Sequence, residues 1–172
     1  GIYGAVIRIS GLAHFGLQSI NSIAAPLVAE LYHSGRHKEL QRLTTWAARG
    51  AFAVAFLVSL GLYLLGASVL GLFGVEFESG YIPLLILLGG QLLNSFAGIV
   101  SFVMMMTGHQ KYSMQILIVA AITNIVLNAF LIPLFGLVGG AIATSITLLI
   151  WNLWMVVYVK NNININTTAI KY

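Results

Sequence analysis

The chain has 172 residues, of which 59% are hydrophobic and only 7% are charged, with a formal net charge of +4 and a mean hydropathy of +0.97. A soluble domain carries roughly 25% charged residues, so this composition excludes a water-facing surface and indicates that lipid surrounds most of the chain. The absence of cysteine and aspartate excludes disulfides and many metal sites, and the few, dispersed basic residues exclude a nucleic-acid partner.

Five apolar stretches are each long enough for a membrane-spanning helix, which needs about 20 mostly apolar residues. They cover residues 2–29, 46–73, 81–107, 112–132 and 137–159. We therefore predict an all-α fold, a polytopic transmembrane helix bundle that forms a single membrane domain over 1–172. Because the first residue is Gly1 and an apolar stretch begins at once, we expect the chain to be a fragment of a longer protein.

The first stretch carries most of the polar residues that lie inside the spans. At 100° per residue they share an arc of about 160°, which we call the polar face of this helix: Gly4, Arg8, Gly11, His14, Gln18, Ser19, Asn21 and Ser22. The opposite side is apolar and is expected to face lipid. The polar face is interpreted as the lining of a water-filled path, and hydrogen bonding between helices is the alternative.

Two polar-face residues each admit two interpretations. Arg8 lies about two turns from the outer end of its span, from where its side chain can snorkel to the headgroups. Alternatively, it is a cation in a central cavity that attracts an anionic group such as a phosphate. His14 is either a packed, hydrogen-bonded residue or a residue of the cavity.

The connector 30–45 is predicted to form a separate helix that lies flat on the cytoplasmic surface of the membrane. From Lys38 to Ala47 the apolar residues recur on one face, and they include Leu40, Leu43 and Ala47. Trp46 is expected at the level of the lipid headgroups.

The basic residues predict the orientation of the chain, because they accumulate on the cytoplasmic side of membrane proteins. Placing the connector in the cytoplasm brings every Lys and Arg except Arg8 to that side, including those of the tail 160–172. The turn with Glu76 and Glu78 then lies outside. The N-terminus of this chain is predicted outside and its C-terminus in the cytoplasm.

The later spans carry fewer polar residues. Gln91 and Asn94 share one face of the third span and complete the list of predicted cavity residues. Asn124 and Asn128 are interpreted as a bridge to a neighbouring helix, with substrate binding as the alternative. The tail 160–172 is interpreted as a frayed end. The scattered histidines predict no metal site, no catalytic set is present, and no cofactor is expected.

Four segments follow one another in an order typical of one transporter family. They read NSIAAPLVAELYHSGRHKELQRL (21–43), LGLFGVEFESGYIPLLILLGGQLLNSFAG (70–98), MMMTGHQKYS (104–113) and NIVLNAFLIPLFGLVGGAIATSITLLIWNL (124–153). Together they resemble the C-terminal half of O-antigen and polysaccharide flippases. These proteins transport lipid-linked oligosaccharides and belong to the multidrug/oligosaccharidyl-lipid/polysaccharide exporter superfamily.

The resemblance implies a two-bundle transporter of the bacterial inner membrane that flips a polyprenyl-pyrophosphate-linked oligosaccharide by alternating access. Its partners would be membrane lipid, the lipid-linked oligosaccharide and a missing N-terminal bundle. It would not be an enzyme. The family's substrate residues vary, so the cavity residues proposed here rest on the polar-face argument alone: Arg8, His14, Gln18, Asn21, Gln91 and Asn94.

Three alternatives stay open. A drug/cation antiporter of the same superfamily needs acidic residues within its spans, whereas each glutamate lies in a connector or at a span end. A prenyl-linked sugar transferase needs a carboxylate or a histidine–acid pair near the interface, and none stands out. A non-transporting membrane assembly subunit would share the composition and lack the transport path.

Overall fold

The computed structural model describes residues 1–170 and consists of helices joined by short turns. The helices are α1 (Ile2–His33), α2 (His37–Gly71), α3 (Tyr81–Ala97), α4 (Val100–Met106) and α5 (Gln110–Ile163), with a 3-10 helix at Val75–Gly80. No residue in the range 1–170 lies in a β-strand. The all-α fold class predicted from the sequence is confirmed.

Helix α5 folds back on itself as a hairpin. Gly136 has φ 57° and ψ −130°, which interrupts the helix three residues after Pro133. The rings of Tyr112 and Tyr158 lie 5.1 Å apart, and Asn124 Nδ2 donates to Thr147 Oγ1 at 3.2 Å. Residues 110–135 and 137–163 are therefore two antiparallel arms, which we call the first and second arms of α5. They correspond to the predicted fourth and fifth spans.

The predicted third span, 81–107, is not one helix, because it breaks at Gly98. This residue has φ 71° and ψ −143°, a conformation that only glycine adopts readily. A Cβ at this position would lie 2.7 Å from Ala48 Cβ and 2.5 Å from Thr167 O. The chain therefore ends α3 at Ala97 and starts α4 three residues later at Val100, against α2 and the C-terminal tail.

The predicted interfacial helix at 30–45 is wrong. Helix α1 continues to His33, residues 34–36 form a tight turn, and residues 37–45 are the first turns of α2. The apolar positions taken for a lipid-facing side continue the buried stripe of α2, because Leu40 and Ala47 are buried together with Ala51. At 1.5 Å per residue the 35-residue α2 is about 52 Å long, so it exceeds the hydrocarbon core of about 30 Å.

Small residues let α1 and α2 approach closely. The buried face of α2 contains Ala47, Ala48, Ala51 and Ala55, and Gly16 of α1 leaves no room for a Cβ beside Val54. Such small-residue contacts are the usual basis of helix packing in membranes.

The apolar side of α1, which was predicted to face lipid, is divided between the core and the exterior. Ile9, Ala13 and Leu17 are buried in the bundle, whereas Leu12 and Ile23 are 56% and 72% exposed. Packing against α2 and α3 thus buries only a part of the apolar side.

The two ends of the bundle carry different charges. The end that holds Glu76 and Glu78, which we call the acidic end, brings Gly80 beside Val6 and Ile2. The opposite end, which we call the basic end, holds the 34–36 turn, the start of α2, the 107–109 turn and the end of α5. Its basic residues in the described part of the chain are Arg36, Lys38, Arg42, Arg49, Lys111 and Lys160.

The tail is docked as far as the structure describes it, so its interpretation as a frayed end is wrong for residues 164–170. Gln41 pairs with the backbone of Asn166, with Nε2 donating to O and Oε1 accepting from N, both at 2.7 Å. Arg49 Nε donates to Ala169 O at 3.0 Å, and Ala169 N donates to Phe96 O at 3.1 Å. Lys171, which was assigned to the cytoplasm, lies outside the described residues.

The exterior is apolar along most of the bundle. By length and composition, three helical segments can cross a membrane: His37–Gly71, Val75–Ala97 and Gln110–Ile163. Large apolar side chains such as Leu64, Ile125 and Phe130 are about 70% exposed, which water would disfavour. The protein is a multi-pass membrane protein. Five spans stay a prediction, which requires α1 and both arms of α5 to cross.

Candidate functional site

A polar layer separates two apolar core clusters. The cluster toward the acidic end contains Val6, Ile9, Ala13, Leu84, Leu88 and Ala141. The cluster toward the basic end contains Leu17, Val28, Ala97, Met104, Met155 and Val159. His14, Asn94 and Asn152 lie between them in sequence on α1, α3 and the second arm of α5. This position is midway along the bundle, the depth at which transporters bind their substrates.

Asn94 is the centre of the layer and is only 3% exposed. Its Nδ2 lies 3.0 Å from His14 Nδ1 and 3.4 Å from Gln91 Oε1. Its Oδ1 accepts a hydrogen bond of 2.9 Å from Asn152 Nδ2, which also donates to Leu148 O at 2.8 Å. One side chain thus connects three helices through buried hydrogen bonds.

In this arrangement the Asn94 amide turns its Nδ2 toward His14, because its Oδ1 accepts from Asn152. The contact is a hydrogen bond with the His14 tautomer whose Nδ1 is unprotonated.

A cavity of about 180 Å³ adjoins the polar layer at the α3–α4 break. His14, Asn21, Asn94 and Ser101 supply its polar lining, and Phe102 and Trp151 its aromatic walls. Asn21 is 8% exposed, and its Oδ1 has no hydrogen-bond partner within 1–170. Buried polar atoms normally have partners, so the cavity has hydrogen-bonding capacity for waters or for a polar ligand.

Two further buried oxygens near the layer lack partners among the described residues. They are Asn152 Oδ1 and Ser95 Oγ. Asn152 extends the layer toward α5, while Ser95 stands next to Asn94 on α3. The polar layer therefore presents more acceptors than the protein itself satisfies.

The structure divides the predicted polar face of α1 into two parts. Arg8, Gln18, Ser19 and Ser22 lie on the exposed side of the helix, whereas His14 and Asn21 turn toward α3 and α4. Arg8 forms no ion pair or hydrogen bond with any residue in the range 1–170. It is an uncompensated cation on the exterior of an otherwise apolar bundle.

The six predicted cavity residues accordingly fall into two groups. His14, Asn21, Gln91 and Asn94 come together in or beside the polar layer, and Arg8 and Gln18 stay on the exposed face. The sequence interpretation missed Asn152. An amide inside the apolar run LLIWNLW was the available signal for Asn152, since such residues are rare in a span without a partner.

Asn124 and Asn128 form a separate pair on the first arm of α5, where Asn124 contacts the second arm. Asn124 donates to Thr147 Oγ1, and Asn128 Nδ2 donates to Asn124 Oδ1 at 2.8 Å. This is the geometry expected of a bridge between helices, which favours that interpretation over substrate binding.

Comparison with known proteins connects the chain with flippases. It is 26% identical over 151 residues to the probable flippase AglR of Haloferax volcanii, a match that covers 86% of this chain and 32% of that protein. It is 22% identical over 148 residues to a probable low-salt glycan biosynthesis flippase of the same organism, covering 86% and 31%. An uncharacterised membrane protein of Methanocaldococcus jannaschii is 27% identical over 148 residues, covering 86% and 34%.

The chain thus spans about a third of the length of these relatives. No family model and no solved structure matches it. Two of these three relatives are named as probable flippases, and the third is named only as a membrane protein. They do not distinguish the O-antigen exporters from other flippases of glycan biosynthesis.

Proposed function

We propose that this chain is the C-terminal bundle of a flippase that carries a lipid-linked glycan across a membrane. The observation that carries the proposal is the exposed side of α1, where Arg8 has no partner within the described residues. An arginine inside a span is costly when it faces hydrocarbon and normally turns toward a wet cavity. The remaining two thirds of the relatives' length would supply the opposite wall of that cavity.

The proposed substrate class follows from the chemistry of the exposed side of α1. The sugars of a lipid-linked glycan cannot cross about 30 Å of hydrocarbon unaided, and its phosphate groups are anionic. Arg8 would bind a phosphate through charge-assisted hydrogen bonds, while Gln18, Ser19 and the cavity at Asn21 would meet sugar hydroxyls. The lipid tail would stay in the bilayer as two bundles rock between inward-facing and outward-facing states.

The proposal extends to the lipid that carries the glycan and to the membrane that holds the protein. A polyprenyl-pyrophosphate carrier fits the cationic wall, and a cytoplasmic basic end fits the distribution of charge. The similar proteins are archaeal and are named for flipping or glycan biosynthesis. We therefore propose a lipid-linked glycan in general, in which an O-antigen in a bacterial inner membrane is one case.

Removing the charge of Arg8 tests the proposal. In the full-length protein, Arg8→Gln is expected to lower the rate of glycan export about tenfold or more, which is the effect of losing a hydrogen bond to a charged group. Arg8→Lys should keep a larger part of the rate. Export of labelled lipid-linked glycan is measured at equal amounts of inserted protein.

Arg42→Gln serves as the control, because Arg42 is an exposed basic residue at the basic end, away from the polar face. It should leave export unchanged. Export by Arg8→Gln at the wild-type rate would assign Arg8 to snorkelling and remove the main support for a cationic transport path.

The alternatives have less support in the structure. An antiporter of cations needs carboxylates in its path, and all four glutamates lie at the two ends of the bundle: Glu30, Glu39, Glu76 and Glu78. A non-transporting assembly subunit would not need the unpaired Arg8 or the unsatisfied acceptors of the polar layer.

A further inference from the structure

A second cleft lies between the two arms of α5, away from the polar face of α1. Its volume is about 420 Å³. Tyr112, Gln115, Trp154 and Tyr158 line it toward the basic end, and Ile118 and Val119 line it toward the middle of the bundle. The cleft is thus polar and aromatic at one end and apolar at the other.

The aromatic end of the cleft is built from aromatic rings in contact with one another. The rings of Tyr112 and Tyr158 lie 5.1 Å apart and are inclined by 33°, and the His109 ring meets Tyr158 edge-on at 5.7 Å. Tyrosine and tryptophan occupy this position where a membrane protein meets the headgroup region. The polar end of the cleft is therefore expected at headgroup level and its apolar end in the hydrocarbon region.

A positive charge stands at the polar end. Lys111 is exposed and precedes Gln115 by four residues, so it lies on the same face of the first arm, one turn nearer the basic end. No carboxylate lies on either arm, because the glutamates are all in other elements: Glu30 in α1, Glu39 in α2, and Glu76 and Glu78 in the 3-10 helix. The charge of Lys111 is available to a ligand in the cleft.

We propose that this cleft binds one anionic phospholipid. An acyl chain would lie along Ile118 and Val119, and the phosphate would meet Lys111 and the tyrosine hydroxyls. Charge complementarity selects an anionic headgroup over a zwitterionic one, as in other basic pockets between membrane helices. The site does not depend on the proposed transport function.

Trp154 provides a direct probe, since the chain has only three tryptophans. Replacing Trp46 and Trp151 with Phe leaves Trp154 as the single fluorophore in the purified 172-residue chain. Phosphatidylglycerol with brominated acyl chains should quench it at about a fivefold lower mole fraction than brominated phosphatidylcholine, the preference that one basic contact gives. Lys111→Gln should abolish the preference.

Lys38→Gln is the matched control, because Lys38 is an exposed lysine of the basic end on a different helix. It should keep the fivefold preference. Equal quenching by both lipids, or a preference that survives Lys111→Gln, would overturn the proposal and leave the cleft as a surface for bulk lipid. Native mass spectrometry of the chain with all its tryptophans gives a second readout: more phosphatidylglycerol than phosphatidylcholine should stay bound, and equal retention would likewise overturn the proposal.

Discussion

Asn94 shows how a single amide can organise the interior of an apolar bundle. Its side chain is almost completely buried and bonds to His14 and Asn152, so α1, α3 and the second arm of α5 share one polar contact. A buried polar group without a partner costs about 1–3 kcal/mol. The network therefore penalises any packing that moves one of the three helices away from the other two.

Replacing Asn94 with Leu is expected to lower the melting temperature of the purified protein in detergent. His14 Nδ1 loses its donor, at about 1–3 kcal/mol for a buried group left unsatisfied, and Asn152 Nδ2 keeps only its bond to Leu148 O. Asn152→Leu should cost less in the Asn94→Leu background than in the wild type, because its partner is already gone. Strictly additive effects would contradict a shared network.

Asn162→Leu is the control for this change. Asn162 is exposed, and its Nδ2 donates to Tyr158 O within its own helix. The same amide-to-leucine substitution there should shift the melting temperature only slightly.

The break between α3 and α4 depends on an element far away in the sequence. The tail passes Gly98 with Thr167 O at the place a Cβ would occupy, and Ala169 N donates to Phe96 O. The last carbonyl groups of a helix have no partner within it, and the tail supplies one at this end. The tail and the break therefore stabilise each other.

Gly98→Ala is expected to destabilise the protein by about 1–3 kcal/mol, because alanine is strained at this φ and its Cβ collides with the tail. Gly89→Ala, within α3, is the control, since a Cβ there meets nothing within 4 Å. That change should be neutral or stabilise by up to about 1 kcal/mol. Thermal unfolding of both variants in detergent measures the difference, and equal melting temperatures would refute the close contact at Gly98.

Part of this element-scale structure could be predicted from sequence and part could not. The long apolar runs predicted the positions of most helices, and the separate fourth and fifth spans correspond to the two arms of α5. The break at Gly98 and the docked tail depend on contacts such as Gln41 with Asn166, which are 125 residues apart. Local periodicity carries no information on such pairs.

The candidate site shows the same division. Polar residues inside apolar runs identified His14, Asn21, Gln91 and Asn94, because any such residue in a span needs a partner or a wet cavity. The partner helix of each could not be read from the pattern. Which residues of α1 are exposed and which are buried likewise depends on the packing of α1 on its neighbours.

At the scale of the whole molecule, charge is segregated between the two ends of an apolar bundle. The glutamates of the 3-10 helix lie at one end, and the basic residues of α2 and of both arms of α5 lie at the other. This separation agrees with a basic end in the cytoplasm. The orientation of the chain itself stays a prediction.

Single cysteines test the orientation, since the chain has none of its own. Ser79 and Ser34 are exposed at the acidic and basic ends. In intact cells that produce the full-length protein, a membrane-impermeant thiol reagent should label Ser79→Cys and not Ser34→Cys. Permeabilised cells should show labelling of both variants, and the reverse pattern in intact cells would refute the prediction.

The contact of the tail with Gly98 has a consequence for biosynthesis. Thr167 leaves the ribosome about 70 residues after Gly98, which at roughly 5–20 residues per second is a delay of several seconds. During that interval α3 and α4 are already synthesised, whereas the tail segment that packs against their junction is not. The basic end of the bundle is therefore expected to be completed last, after its helices have been synthesised.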